Sequence, residues 1–131
     1  MQYEMLAMSK VERFENLRIW QMAHDLTIAI YYLTKNGEFS RSWGLRDQIQ
    51  RASVSVMSNI AEGFERYSTQ EFKHFLSISR GSCAEVRSQI QLAKSLGYIT
   101  DAECTIIYQK CIALSRAIGA LRLALEKNTT K

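Results

Sequence analysis

The sequence has 131 residues, 47% of them hydrophobic, and a formal net charge of +4, which suits one domain with a packed core. No apolar run reaches the roughly 18 residues that a bilayer span requires. No basic stretch followed by an apolar block opens the chain, so a cytoplasmic protein is expected rather than an anchored or secreted one.

Residues 1–15 lack a periodic pattern and read as an arm. Asn16 is placed to cap a helix that begins at Leu17. Apolar residues then recur at Ile19, Ala23, Leu26, Ile30 and Leu33, in alternating steps of four and three that hold one stripe toward a partner. Asn36-Gly37 closes this helix, because glycine accepts the left-handed conformation. Residues 37–44 read as a loop, with Phe39 and Trp43 tucked against the body. The second helix carries Leu45, Ile49, Ala52, Val56, Asn59 and Gly63 at the same spacing, with two seam members that are not apolar.

Ser68-Thr69-Gln70-Glu71 has the form of a capping box. The helix it opens carries Phe72, Phe75, Ser79, Ser82, Val86, Gln89, Ala93 and Leu96, beside a more apolar row of Leu76, Cys83 and Ile90. Gly97 ends it. Thr100-Asp101-Ala102-Glu103 is a second box, followed by Cys104, Ile107, Cys111, Leu114, Ile118, Leu121 and Leu125. Residues 128–131 read as a tail. Proline is absent, so nothing kinks these segments. Four amphipathic helices with short links predict an all-α, antiparallel up-down four-helix bundle over residues 16–127.

The chain resembles the small bacterial four-helix-bundle proteins first noticed in intervening sequences of the 23S ribosomal RNA gene. The resemblance rests on Leu17-Arg18-Ile19-Trp20-Gln21, Gly44-Leu45, Gln48-Ile49, Arg51-Ala52, Ser55 and Asn59-Ile60-Ala61-Glu62-Gly63. It continues through Glu71-Phe72, Phe75-Leu76, Gly81-Ser82, Glu85, Gln89 and Leu96-Gly97-Tyr98-Ile99, and spans about residues 14 to 125. Met57 departs from it, standing where the family often has proline. The resemblance implies a helical bundle assembled as a homo-oligomer, a ring-like pentamer in the family. A related branch is the accessory protein of diversity-generating retroelements, whose basic barrel engages a reverse transcriptase and nucleic acid.

Charge is unevenly spread. Residues 1–67 hold 8 basic and 8 acidic side chains, whereas residues 68–131 hold 9 and 5. Within the second half Lys73, Arg80, Arg87 and Lys94 recur every seven residues. At about 1.5 Å per residue they make a row roughly 30 Å long on one helix face. Such a row suits phosphates of RNA or DNA, whose contacts are electrostatic and carry little sequence information. Its plainer reading is a solvated face.

The polar seam members Asn59, Glu62, Glu85 and Gln89, with Arg51 and Arg66 as the arginines nearest in sequence, are expected to bond one another and fix helix register. Glu71-Phe72-Lys73-His74 is a lone Glu-x-x-His, where di-iron bundles need two and further glutamates, so no metal and no cofactor are expected. His24 beside Asp25 lacks a nucleophile in any recognisable pattern, and no catalytic residue is assigned. Cys83, Cys104 and Cys111 match no zinc spacing and fall on apolar positions, as buried reduced thiols. The sequence thus points to a non-enzymatic oligomer that binds RNA, DNA or a nucleic-acid-handling protein. The competing expectation is a purely structural assembly module.

Overall fold

In the computed structural model, residues 11–129 are described, and they are all-helical. A 3-10 turn at Phe14–Asn16 precedes α1 (Arg18–Thr34), a short α2 (Gly37–Arg41), α3 (Trp43–Phe64), α4 (Thr69–Ser95) and α5 (Asp101–Thr129). The four long helices are the four read from the apolar spacing. Residues 1–10 of the expected arm, and 130–131 of the tail, lie outside the described residues.

Each stripe buries as its period dictates. Leu26 and Ile30 of α1, Ile49, Val56 and Ile60 of α3, Leu76, Val86 and Ile90 of α4, and Leu114 and Ile118 of α5 are wholly buried. Burying each such side chain contributes about 1.5–3 kcal/mol, which outweighs any local propensity. Each long helix packs on the next long one, and α5 returns against α1. The polar contacts across the seams give the direction. Thr27 donates to the Ser53 carbonyl while Gln50 donates to Thr34, so α1 and α3 run oppositely. Ser79 with Val56 and Gln89 with Gln48 show the same for α3 and α4. Cys83 with Cys111 and Cys104 with Ile90 show it for α4 and α5.

The helix ends follow the sequence in part. Thr100 and Glu103 make both bonds of a capping box, at 2.9 and 3.1 Å. At α4 only half forms: the Glu71 amide donates to Ser68 Oγ at 3.1 Å, and the Glu71 carboxylate turns to Arg66 at 3.5 Å. Gly37 and Gly97 take the left-handed backbone expected of helix-closing glycines, at φ +66° and +77°.

Three expectations are corrected. Asn16 does not cap α1: it belongs to the 3-10 turn, and extended Leu17 occupies the cap position without a side-chain bond. Residues 37–44 are not a plain loop, since Gly37–Arg41 completes a helical turn. That turn drives Phe39 into the core at 1% exposure and leaves Trp43, at the start of α3, 69% exposed rather than tucked in.

Candidate anion-binding face

The cationic row lies along the seam between α4 and α5, and its members differ in surroundings. Lys73 is only 8% exposed, a buried residue in a row expected to face solvent. Arg80 reaches across to α5, where its Nε donates to Ser115 Oγ at 3.1 Å. Arg87 lays its guanidinium over the Tyr108 ring, 5.6 Å from the centroid, a cation–π contact that fixes the side chain while keeping its charge. Lys94 faces Asp101 at 3.9 Å, an exposed pair worth little. Among the described residues neither Arg80 nor Arg87 has a carboxylate partner. The row is therefore continuous in sequence; among the described residues Lys73, Arg80 and Arg87 have no carboxylate partner, and of these three Lys73 is the covered one.

Sequence reasoning missed a second arginine beside this row. Arg122 of α5 crosses the seam in the opposite sense, its Nε donating to Ser77 Oγ at 2.7 Å. Arg122 Nη1 also faces Glu126 at 3.6 Å. Ser77, Arg80, Gly81, Ala84, Ser115 and Arg122 together line an open depression of about 400 Å³. Gly119 makes room for it, since a Cβ there would stand 3.3 Å from Arg80 Cζ and Nη1. A serine and an arginine seven apart on α5 are visible in the sequence. Their meeting with Ser77 and Arg80 depends on the register of α4 on α5, which the sequence alone does not supply.

The expected polar seam resolves into separate pieces. Asn59 bonds back within α3, to the Ser55 carbonyl at 2.8 Å and Ser55 Oγ at 3.0 Å, and Ser55 Oγ meets Ser82 Oγ at 2.8 Å. Arg66 pairs with Glu62 at 2.9 Å and lies over the Phe75 ring. Gln89 reaches Gln48 at 3.5 Å, and its Oε1 is buried without a partner among the described residues. Arg51 and Glu85 are exposed and bond no side chain among the described residues. Register between α3 and α4 is held by the Ser55–Ser82 and Ser79–Val56 bonds, with Asn59 bracing Ser55 from within α3; the arginines stay at the rim.

His24 stacks on Trp20 at 5.0 Å and Asp25 pairs with Lys110 at 2.6 Å, so these neighbours serve separate contacts. His74 packs edge-on against Phe75, and among the described residues no three His, Cys, Asp or Glu side chains gather as a metal-holding group. All three cysteines are free and buried. The bond with Cys83, with burial, pushes the Cys111 thiol well above its usual range.

Comparison with known proteins agrees with this architecture. A crystal structure from Bacteroides thetaiotaomicron, described as a protein with unknown function from the S23 ribosomal protein family, superposes with a TM-score of 0.74 at 19% identity. The match covers 79% of this chain and 97% of that one; at this identity the likeness is one of fold. No curated protein matches the chain. The family model for the 23S rRNA-intervening sequence protein matches residues 15–120, and the chain belongs to that family.

Proposed function

We propose that the protein is a non-enzymatic, homo-oligomeric helical bundle that binds RNA or DNA through the cationic face of α4 and α5. The observation that carries this reading is the pair Arg80 and Arg87. Both are anchored on α5 by an uncharged partner, and neither is neutralised by a carboxylate among the described residues. Fixed cations without counter-charges attract phosphates and release their counterions, so binding should weaken steeply with salt. Repetition of the face around an oligomer adds to the local field. A nucleic-acid-handling protein such as a reverse transcriptase is the companion partner class. The test is a salt titration of RNA binding by the wild type and by Lys73, Arg80, Arg87 and Lys94 changed together to glutamine. Each cation removed from a phosphate lowers the slope of log K against log salt by about 1. Unchanged affinity in the quadruple variant refutes the reading.

A second reading, a protein–protein assembly module, is favoured by the adjacent seam. There Ala29, Leu33, Ile106 and Ile107 with Tyr32 and Glu103 line a mostly apolar groove between α1 and α5, and Tyr32 and Ile106 are largely exposed. Light scattering tests it: a ring-forming chain gives about five times the monomer mass, and a monomer at micromolar concentration refutes assembly.

A further inference from the structure

The geometry points to a seat for a single phosphate group in the depression where Arg80 and Arg122 cross between α4 and α5. The two arginines make a reciprocal pair. Arg80 of α4 gives its Nε–H to Ser115 of α5, and Arg122 of α5 gives its Nε–H to Ser77 of α4, at 3.1 and 2.7 Å. Each guanidinium is thereby locked in direction while its terminal Nη groups remain donors. Both serines accept these bonds through oxygen; Ser77 spends its own O–H on the Lys73 carbonyl at 3.2 Å, and Ser115 keeps its O–H to donate. Six residues line the site, and none is acidic. Glu126, 3.6 Å from Arg122 Nη1, is the neighbouring carboxylate. Gly81 and Ala84 leave the depression free of bulky side chains.

An occupant must therefore be an anion with several acceptor oxygens spread in three dimensions. Two guanidinium forks and the Ser115 hydroxyl suit a tetrahedral phosphate, which accepts from both forks at once. A planar carboxylate has only two oxygens and satisfies one fork. The Arg80 guanidinium passes close over Gly119, 3.3 Å from where a Cβ would stand. The seat deepens the polyanion reading, since Arg80 belongs to both, but Arg122 lies outside the heptad row and separates them.

The test is a titration of the full chain with inorganic phosphate at constant ionic strength, followed by the Nε–Hε resonances of its arginines. The expected result is saturable shifts at Arg80 and Arg122, with acetate producing none. R122Q should weaken phosphate binding about tenfold or more. R80Q removes the other guanidinium of the depression, so it should weaken binding too, and it keeps the test decisive should R122Q fold poorly. R116Q, an exposed α5 arginine outside the depression, should bind like the wild type. Linear, unsaturable shifts, an equal response to acetate, or wild-type phosphate binding in both R122Q and R80Q overturns the seat. RNA oligomers with and without a 5′-phosphate distinguish a terminal phosphate from a backbone diester as the natural source. Salt-sensitive RNA binding by a wild type that shows no phosphate shifts overturns the seat and spares the polyanion reading. Saturable phosphate binding without RNA binding upholds the seat and overturns that reading.

Discussion

Gly63 and Gly81 lie on facing helices, and the same change to alanine should move stability in opposite directions. A Cβ at Gly63 would sit 2.7 Å from Phe75 Cβ and 3.0 Å from Phe72 Cδ1. Carbon atoms rest about 3.5–4.0 Å apart, so α3 and α4 would have to part by roughly 1 Å. The Phe72 ring can turn, but Phe75 Cβ is fixed to the α4 backbone and cannot. Parting this seam also strains the Ser79–Val56 and Ser55–Ser82 bonds, at 2.7 and 2.8 Å. Overpacking costs about 1–3 kcal/mol, a weakened buried bond about 1 kcal/mol more, and alanine's helix preference returns up to about 1 kcal/mol. G63A should therefore lose about 2 kcal/mol. At Gly81 nothing lies within 4 Å of where a Cβ would stand, so G81A should gain about 0.5–1 kcal/mol. Urea unfolding by circular dichroism at fixed protein concentration reads both. With a slope of about 2 kcal/mol per molar, G63A should shift the midpoint down by about 1 M at unchanged slope. A G63A protein as stable as the wild type, or a G81A protein destabilised as much as G63A, would refute the close-approach argument.

Three further outcomes are expected. Leu114→Ala empties a wholly buried position and should cost about 2–5 kcal/mol in the same assay. Ser68→Ala and Thr100→Ala should each cost about 1 kcal/mol, because each removes the one hydroxyl that accepts from the third-position amide, and the backbone N–H bond of residue 100 to Glu103 survives the change. Cys83, Cys104 and Cys111 are buried, and a raised pKa holds Cys111 as the unreactive thiol. A thiol reagent at pH 8 should label the native protein only at its unfolding rate, and prompt labelling would contradict the packing.

The four long helices were legible because burial at the three-four spacing carries far more free energy than any competing signal. Ile19, Ala23, Leu26 and Ile30 all face the core as that spacing requires. The misreadings fall where local signals are nearly balanced. Asn16 is a good capping residue, but the preceding Phe14 packs on Trp20 at 5.4 Å, and the 3-10 turn it belongs to takes Asn16 with it. Phe39 and Trp43 are both large aromatics four residues apart, and only the short α2 turn decides which one is buried. On the candidate face, the heptad row located Arg80 and Arg87 but gave no hint that Lys73 is covered. Arg122, Ser77 and Ser115 could not be joined from sequence, because a one-residue slip of α5 along α4 would separate them.

The neighbour-to-neighbour packing of the long helices also sets the order in which the molecule can assemble. Every seam between long helices but one joins helices that follow each other along the chain, so closing most of them confines only a short linker. Rapid formation of an α3–α4–α5 unit follows from such low sequence separation. The α1–α5 seam, with Asp25 and Lys110 at its rim, must wait for the whole chain. Hydrogen exchange should find α1 opening at lower free energy than α4, which is flanked on both sides by partners close to it in sequence.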